Sequence, residues 1–264
     1  PKLLNLPPTK ISETDEAIAR IVMEQMEDGA CLQLGIGAMP NAIGAMIAES
    51  DLKDLGIHTE MLVDSFVDMH ESGRVNGKLK SIDKGKMVYT FAMGTDKLYN
   101  FLDHNPVCAS YPVHYTNDPA VIAMNDKVFA INNAIEVDLY GQVASEASGT
   151  RQISGTGGQL DFIFASFRSK GGKGFICLSS TKTMRDGTVA SRIRPTLSPG
   201  TIVTIPRSLN FYVATEYGIA LMKGRTTWQR AEELINIAHP DFRDELIKEA
   251  EQMKIWARTN KQDI

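Results

Sequence analysis

Two short stretches of the sequence contain residue types that could carry chemistry. In the first, Gly35-Ile36-Gly37 separates a short apolar run from Pro40, which is the pattern of a strand, a tight turn and a helix start. Such a turn lets backbone N–H groups approach an anion or an oxyanion. In the second, Glu60 interrupts the apolar run 57–63, where an unpaired charge is costly. A carboxylate in such a place is a candidate base or nucleophile, and we predict that both stretches form one active site.

A second glycine-rich loop, Gly155–Gln159, has glycine at three of its five positions. Two such loops in one chain favour a shared anionic or nucleotide-like ligand, whose oxygens backbone amides can bind. A dinucleotide fingerprint is disfavoured, because Pro40 occupies the position of its third glycine. Structural interpretations also stay open: two tight turns, and a solvated loop acid at Glu60.

The elements that must position these residues alternate between strand and helix patterns. Apolar runs predict strands at 31–34, 57–63, 87–93, 128–131, 135–139, 174–178 and 201–205, and a strand that enters a turn over 212–220, with helical patterns between and after them. This alternation predicts an α/β fold with an open, mostly parallel or mixed sheet flanked by helices. Residues 1–11 are expected to be a linker, because Pro7 and Pro8 exclude helix, and residues 12–264 one domain.

Composition excludes several classes of protein. A net charge of −4 argues against a general nucleic-acid binder, although a local basic site for a phosphate stays open. No apolar run approaches the roughly 18 residues of a membrane span, so we expect no membrane association. The three cysteines are widely spaced among apolar neighbours, which predicts buried thiols and a cytoplasmic location. The histidines lack metal-ligand spacing, and no Gly-x-Ser-x-Gly elbow is present.

Six segments, in the same order, resemble the acetyl-CoA hydrolase/transferase family, and within it the branch of 4-hydroxybutyrate and butyrate:acetate CoA-transferases. They are Leu34-Gly35-Ile36-Gly37-Ala38-Met39-Pro40, His58-Thr59-Glu60-Met61, the segment 131–143 (INNAIEVDLYGQV), the segment 154–162 (SGTGGQLDF), Thr215-Glu216-Tyr217-Gly218 and Ala238-His239-Pro240-Asp241-Phe242-Arg243. The resemblance runs from about Glu13 to about Leu246. It implies a CoA-transferase-like fold and matches only the C-terminal half of family members, so a separate N-terminal half would precede Pro1.

The resemblance assigns roles to individual residues. Glu60 matches the catalytic glutamate, which forms a mixed anhydride with the acyl group and then a glutamyl-CoA thioester, in ping-pong catalysis without a metal. Asn132 matches a side-chain amide that helps to hold the oxyanion. The matching CoA-contacting positions are Gly35, Ile36, Gly37, Ala38, Met39, Ile135, Gly157, Gly158, Gln159 and a cation, either Lys182 or Arg185.

The resemblance implies an enzyme that exchanges coenzyme A between an acyl-CoA and a short-chain carboxylate such as acetate, butyrate or 4-hydroxybutyrate, within short-chain fatty acid metabolism. The expected partners are these substrates, the missing N-terminal half and a second copy in a homodimer. The chain departs from the family at Ile163–Ser166 and at Ser179-Ser180-Thr181, which affects phosphate binding and acyl preference rather than reaction type. Two alternatives stay open: an acyl-CoA hydrolase on the same scaffold and a non-catalytic CoA-binding module.

Overall fold

A computed structural model describes residues 3–6, 10–35 and 37–256. The chain divides into two units, one of Pro1–Asn133 with Gly157–Phe175 and one of Ala134–Thr156 with Ile176–Ile264. The region 12–264, expected to be one catalytic domain, therefore contains parts of both units. Each unit is described separately.

The first unit is built on a parallel sheet. Its strands are β1 (Cys31–Leu34), β2 (Gly56–His58), β3 (Met61–Leu62), β4 (Met87–Tyr89), β5 (Phe91–Ala92), β6 (Cys108–Ser110) and β7 (Val128–Asn133). Five of them form the order β7-β1-β2-β4-β6, and all four neighbouring pairs are parallel. All four residues of β1 are buried, as is typical of a parallel sheet that is covered on both faces. The predicted α/β fold with a mostly parallel sheet is confirmed.

Helices connect the strands of the first unit. They are α1 (Glu13–Met23), α2 (Ala38–Glu49), α3 (Asp64–Glu71), α4 (Asp96–Leu102), α5 (Val113–Thr116), α6 (Pro119–Ile122) and α7 (Gln159–Arg168). Local sequence fixes several of their starts: Ser12 and Asp15 form a reciprocal capping box on α1, and the Asp118 side chain caps α6. The long helix α2 begins directly after the glycine turn, as the sequence predicts.

The strand predicted over 57–63 is wrong in one respect, because it is interrupted at Thr59 and Glu60. The Glu60 carbonyl oxygen accepts the backbone N–H groups of both Thr90 (3.0 Å) and Phe91 (3.2 Å). This double contact separates the parallel pair β2–β4 from the pair β3–β5. The neighbouring run 87–93 is split at Thr90 for the same reason.

The second unit consists of short strands and two helices. Its strands are β8 (Glu136–Asp138), β9 (Val143–Ala144), β10 (Ala147–Ser148), β11 (Arg151–Gln152), β12 (Lys173–Cys177, which begins in the first unit), β13 (Thr181–Thr183), β14 (Val189–Ser191), β15 (Ile193–Arg194), β16 (Tyr212–Thr215) and β17 (Gly218–Leu221). Its helices are α8 (Thr227–Asn236) and α9 (Pro240–Gln252). The predicted strand at 201–205 is wrong: only Ile205 bridges to Val143, and Pro206 follows directly.

The three cysteine thiols are free, with Cys31 and Cys177 buried and Cys108 partly exposed. Burial raises the pKa of Cys31 to about 11, so this thiol is protonated and unreactive at neutral pH. In the ranges that the structure describes, every helix is too short or too polar to cross a membrane.

Candidate active site

Glu60 lies at the carboxyl-terminal edge of the parallel sheet in the first unit. It comes two residues after the end of β2, and Gly35 directly follows the neighbouring strand β1. Because parallel strands end at the same edge, the two stretches singled out in the sequence lie at one edge of this sheet. Ligands of open α/β sheets bind in the crevice outside the carboxyl ends of the strands.

Each oxygen of the Glu60 carboxylate accepts a hydrogen bond from a different element. The side-chain Nδ2 of Asn117, directly after α5, donates to Oε1 over 3.0 Å. The backbone N–H of Gly158, at the start of α7, donates to Oε2 over 3.0 Å. Asn117 is buried, whereas Glu60 is half-buried. Both donors are neutral, so they orient the carboxylate without cancelling its charge.

A side chain at position 158 would collide with this arrangement. A Cβ on Gly158 would lie 2.7 Å from Glu60 Oε2 and 2.4 Å from Asn117 Nδ2. The φ of −77° is accessible to any residue, so the space available, rather than the backbone conformation, requires glycine here. The neighbouring Gly157 is less crowded, with a Cβ position 3.9 Å from Glu60 Oε2. The second glycine-rich loop therefore brings a backbone donor against the carboxylate.

A second carboxylate, Asp161, lies in the first turn of α7 and interacts with Glu60. Burial raises the pKa of Asp161, and the negative charge of Glu60 raises it further, while hydrogen bonding from Asn117 opposes the shift. Asn117 therefore interacts with both carboxyl groups. The site therefore contains two acidic side chains, Glu60 and Asp161, whose negative charges repel each other, and the Asn117 amide interacts with both.

The glycines of the first turn pack against two asparagines at the end of β7. A Cβ on Gly35 would lie 3.1 Å from Asn132 Oδ1, and one on Gly37 would lie 2.7 Å from Asn133 Nδ2. Gly37 also has a φ of 127°, a conformation that favours glycine. Both glycines line a cavity of about 220 Å³, together with Met61. The turn therefore needs both glycines for its close approach to β7.

The remaining predicted residues of the first unit lie around this turn. Ala38 and Met39 form the first turn of α2, with Met39 buried. The Gln159 side chain donates to the Asn133 carbonyl oxygen over 3.4 Å, which joins the second loop to the end of β7. Ile36 lies outside the described residues. The roles of these residues in binding CoA remain predictions.

Asn132, predicted to hold an oxyanion, is paired with another side chain. Its Nδ2 donates to Gln33 Oε1 over 2.8 Å, and Gln33 Nε2 donates back to Asn132 Oδ1 over 3.2 Å. Both residues are buried, so this reciprocal pair satisfies two amides between neighbouring strands. The amide that contacts Glu60 belongs to Asn117 instead, and the catalytic role of Asn132 remains a prediction.

Three predicted residues belong to the second unit. Ile135 donates its N–H to the Ala144 carbonyl oxygen over 2.8 Å. Lys182 is the middle residue of β13, opposite Ala190 in β14, and Arg185 is exposed in the turn between these strands. The choice between Lys182 and Arg185 as a CoA-binding cation remains open. Within 3–6, 10–35 and 37–256, no His, Cys, Asp and Glu side chains cluster as a metal site would require.

Sequence reasoning missed Asn117 and Asp161. Asn117 is 57 residues from Glu60 and forms no motif with it. Asp161 was part of a recognised segment, but its proximity to Glu60 depends on the packing of α7. The glycine content of the loop was the one local signal, since it marked a close approach without indicating its partner.

Comparison with known proteins places the chain in a family. The profile of the acetyl-CoA hydrolase/transferase C-terminal domain matches residues 94–250. The butyryl-CoA:acetate CoA-transferase of Anaerostipes caccae is 58% identical over 250 residues, which cover 95% of this chain and 56% of that protein. The 4-hydroxybutyrate coenzyme A transferase of Clostridium kluyveri is 48% identical, with 94% and 56% covered. A more distant acetyl-CoA hydrolase from Kluyveromyces lactis is 30% identical, with 97% and 49% covered.

The solved structures agree with these sequences. RipA from Yersinia pestis superposes with a TM-score of 0.89 at 42% identity, covering 96% of this chain and 56% of that chain. Fold and sequence together define an α/β protein with a CoA-transferase-like fold. The chain belongs to the acetyl-CoA hydrolase/transferase family, as the resemblance indicated. It spans about half the length of the relatives it matches.

Proposed function

We propose that this chain is the catalytic C-terminal half of a CoA-transferase that exchanges CoA between an acyl-CoA and a short-chain carboxylate. Acetate, butyrate and 4-hydroxybutyrate are the expected acids, in line with the activities named for the relatives. The observation that carries the proposal is the Glu60 carboxylate, held by two neutral donors at the ligand-binding edge of the sheet. An oriented carboxylate is suited to nucleophilic attack.

The proposed reaction proceeds through two covalent intermediates on Glu60. A carboxylate oxygen attacks the thioester carbonyl, and CoA leaves as the thiolate, which gives a mixed anhydride. The thiolate then attacks the Glu60 carbonyl carbon and expels the acyl group as a free carboxylate. A glutamyl-CoA thioester remains, and the acceptor acid reverses these steps. One thioester is consumed and one is formed, so no external energy source is required.

Asn117 and Gly158 would stabilise the steps in which Glu60 itself is attacked. In the anhydride, one Glu60 oxygen is a carbonyl oxygen and the other bridges to the acyl group. In the thioester, the bridging oxygen has left with the acyl carboxylate, and the single remaining Glu60 oxygen is the carbonyl oxygen. Attack on the Glu60 carbonyl carbon converts that oxygen into an oxyanion. If Oε1 is retained, Asn117 Nδ2 is the donor already in contact with it, and if Oε2 is retained, the donor is the Gly158 N–H. We therefore propose Asn117 and Gly158 as the oxyanion donors, with Asn132 of β7 as a supporting residue.

Reduction with borohydride tests the covalent step. The full-length protein is incubated with acyl-CoA and then reduced with tritiated borohydride, which converts a glutamyl thioester to an alcohol. We expect the label on the peptide that contains Glu60 and no label in Glu60→Ala. Asp161→Asn is the matched control, because it removes the neighbouring carboxylate and should keep the label on Glu60. Equal labelling of wild type and Glu60→Ala would overturn the mechanism.

Two alternatives predict different products. A hydrolase would release free CoA in the presence of acetate, whereas a transferase would form acetyl-CoA from labelled acetate. Hydrolase activity has support from the more distant acetyl-CoA hydrolases. A non-catalytic CoA-binding module would bind acyl-CoA and give neither product nor label.

The proposal extends to the rest of the molecule. An N-terminal half would complete the active site, since this chain matches only 56% of the length of these relatives. By family resemblance the enzyme is a cytoplasmic homodimer that uses acyl-CoA as its CoA donor and requires no metal. Lys182 or Arg185 would bind a CoA phosphate.

A further inference from the structure

His58 is a buried polar residue that the proposed mechanism does not use. It is 1% exposed and ends β2, two residues before Glu60. Its Nε2 lies 2.9 Å from the Thr116 carbonyl oxygen. Because a carbonyl oxygen only accepts, Nε2 must carry the proton. Nδ1 has no hydrogen-bond partner among the described residues. The single hydrogen bond of the ring is thus directed at one peptide group.

That peptide group is next to the amide that contacts Glu60. Thr116 and Asn117 are consecutive, so two contacts connect the end of β2 with the end of α5. His58 binds the Thr116 carbonyl oxygen, and Glu60 binds the Asn117 side chain. The two contacts involve consecutive residues at the end of α5, Thr116 and Asn117, and residues two positions apart after β2, His58 and Glu60. Any shift of the Thr116–Asn117 peptide would therefore change the distance from Asn117 to the carboxylate.

The segment that carries Asn117 needs such an anchor. Helix α5 has four residues, a single turn, which is not stable without tertiary contacts. The His58 ring also stacks on Tyr115 of this turn, with centroids 6.4 Å apart. On another side, the ring meets the edge of Phe162 at 6.3 Å. Phe162 donates its N–H to the Gly158 carbonyl oxygen, so His58 packs against the elements that supply both donors.

We propose that His58 is a positioning residue, which holds Asn117 at hydrogen-bonding distance from the Glu60 carboxylate through the Thr116 carbonyl oxygen. This inference rests on the proposed role of Glu60. Because the His58 side chain is 1% exposed and acts through Thr116, its loss should lower kcat through weaker stabilisation of charge at Glu60. Binding of acyl-CoA should change little, so KM should stay near the wild-type value.

Substitutions at position 58 separate the hydrogen bond from the packing of the ring. His58→Phe keeps an aromatic ring against Tyr115 and Phe162 but removes the donor. His58→Gln can place an amide nitrogen near the position of Nε2. In the full-length protein we expect His58→Phe to lower kcat by up to about 10-fold and to leave KM within about 2-fold of the wild-type value. His58→Gln should recover a substantial part of the lost kcat.

His70 provides a matched control in the same unit. Its Nδ1 also contacts a backbone carbonyl oxygen, that of Val75 at 3.0 Å, and its ring meets Phe101 at 5.4 Å. His70→Phe should leave kcat near the wild-type value. An equal loss of kcat in His58→Phe and His70→Phe, or wild-type kcat in a folded His58→Phe, would contradict the proposal.

If His58→Phe does not fold, His58→Gln and His58→Asn give the same comparison, because only the longer amide reaches Thr116. Equal kcat values in these two variants would also refute it.

A double-mutant cycle tests whether His58 acts through Asn117. If it does, His58→Phe combined with Asn117→Ala should lose no more kcat than Asn117→Ala alone. Losses that multiply would overturn the proposed route. The borohydride label on wild-type Glu60 separates this result from the proposed function: an unlabelled Glu60 refutes the covalent mechanism, whereas a labelled Glu60 with an unaffected His58→Phe refutes only the role of His58.

Discussion

At the scale of single residues, the state of the Glu60 carboxylate decides what the site can do. Its two oxygens accept hydrogen bonds from an amide and a backbone N–H. Among the described residues, no Lys, Arg or His forms an ion pair with Glu60. A guanidinium in this position would stabilise the carboxylate strongly before the reaction. Neutral donors orient it and leave its charge available for attack on a carbonyl carbon.

Gly158→Ala should abolish most of the activity, because its Cβ would occupy the space of Glu60 Oε2 and Asn117 Nδ2. We expect a loss of about 100-fold or more in kcat/KM, since displacement of a reacting group by about 1 Å has effects of this order. Steady-state kinetics give the value. Gly155→Ala is the control in the same loop, because no described atom lies within 4 Å of its Cβ position. Equal activity of the two variants would show that the close contact is unimportant.

At the scale of elements, the approach of α2 to α3 places the glycine turn beside the strand end that carries Glu60. Helix α2 begins at the turn, and α3 begins directly after β3. The helices meet where Gly44 faces Ser65: a Cβ on Gly44 would lie only 2.4 Å from the Ser65 Cβ. A glycine inside a helix normally costs about 1 kcal/mol relative to alanine. Close packing therefore outweighs helix propensity at this position.

Gly44→Ala should destabilise the protein, although alanine favours helix. The expected cost is about 1–3 kcal/mol, because the clash is with a Cβ that can move only with its helix. Urea denaturation measures the change. Ser65→Gly in the Gly44→Ala background removes the opposing Cβ and should recover part of the loss. A Gly44→Ala variant at least as stable as wild type would contradict this account of the helix contact.

At the scale of the whole molecule, the buried His58 links stability to pH. The pKa of His58 is lowered to about 4, first by burial and then by the charge of Lys80, while the hydrogen bond to Thr116 and the charge of Asp83 oppose the shift. Unfolding returns the imidazole to its ordinary pKa near 6.5. Between these values the unfolded chain binds a proton that the folded chain does not. The contribution of His58 to stability is therefore fully present above pH 6.5 and is lost as the pH decreases towards 4.

The free energy of unfolding should decrease by up to about 3 kcal/mol between pH 7 and pH 4 through His58 alone. Urea denaturation at several pH values measures this slope, and His58→Phe should remove its contribution. The variant curve should be flatter than the wild-type curve across this range. Parallel curves would mean that His58 does not titrate differently in the folded and unfolded states.

Local patterns predicted much of the first unit. Cys31–Leu34 is a strand as expected, because four consecutive apolar or amide residues fit a strand buried on both faces. The expected helix from Pro40 is present and begins two residues earlier, since Gly37 supplies the conformation that ends the turn. The run 57–63 was predicted less well. Its interruption depends on the Glu60 carbonyl oxygen binding two N–H groups of a neighbouring strand, and periodicity contains no information about such partners.

The sequence by itself determined the α/β class, the two glycine-rich loops, the embedded carboxylate and the family. Each of these follows from neighbouring residues or from ordered motifs along the chain. Only the tertiary structure identified Asn117, Gly158 and Asp161 as the groups that surround Glu60. It also showed that His58 contacts Thr116, the residue before Asn117. Asn117, Gly158 and Asp161 are 57 to 101 residues away from Glu60 along the chain. The physical reason is that hydrogen bonds and burial depend on distance in space, and the parallel sheet sets that distance by bringing strand ends and helix starts to one edge.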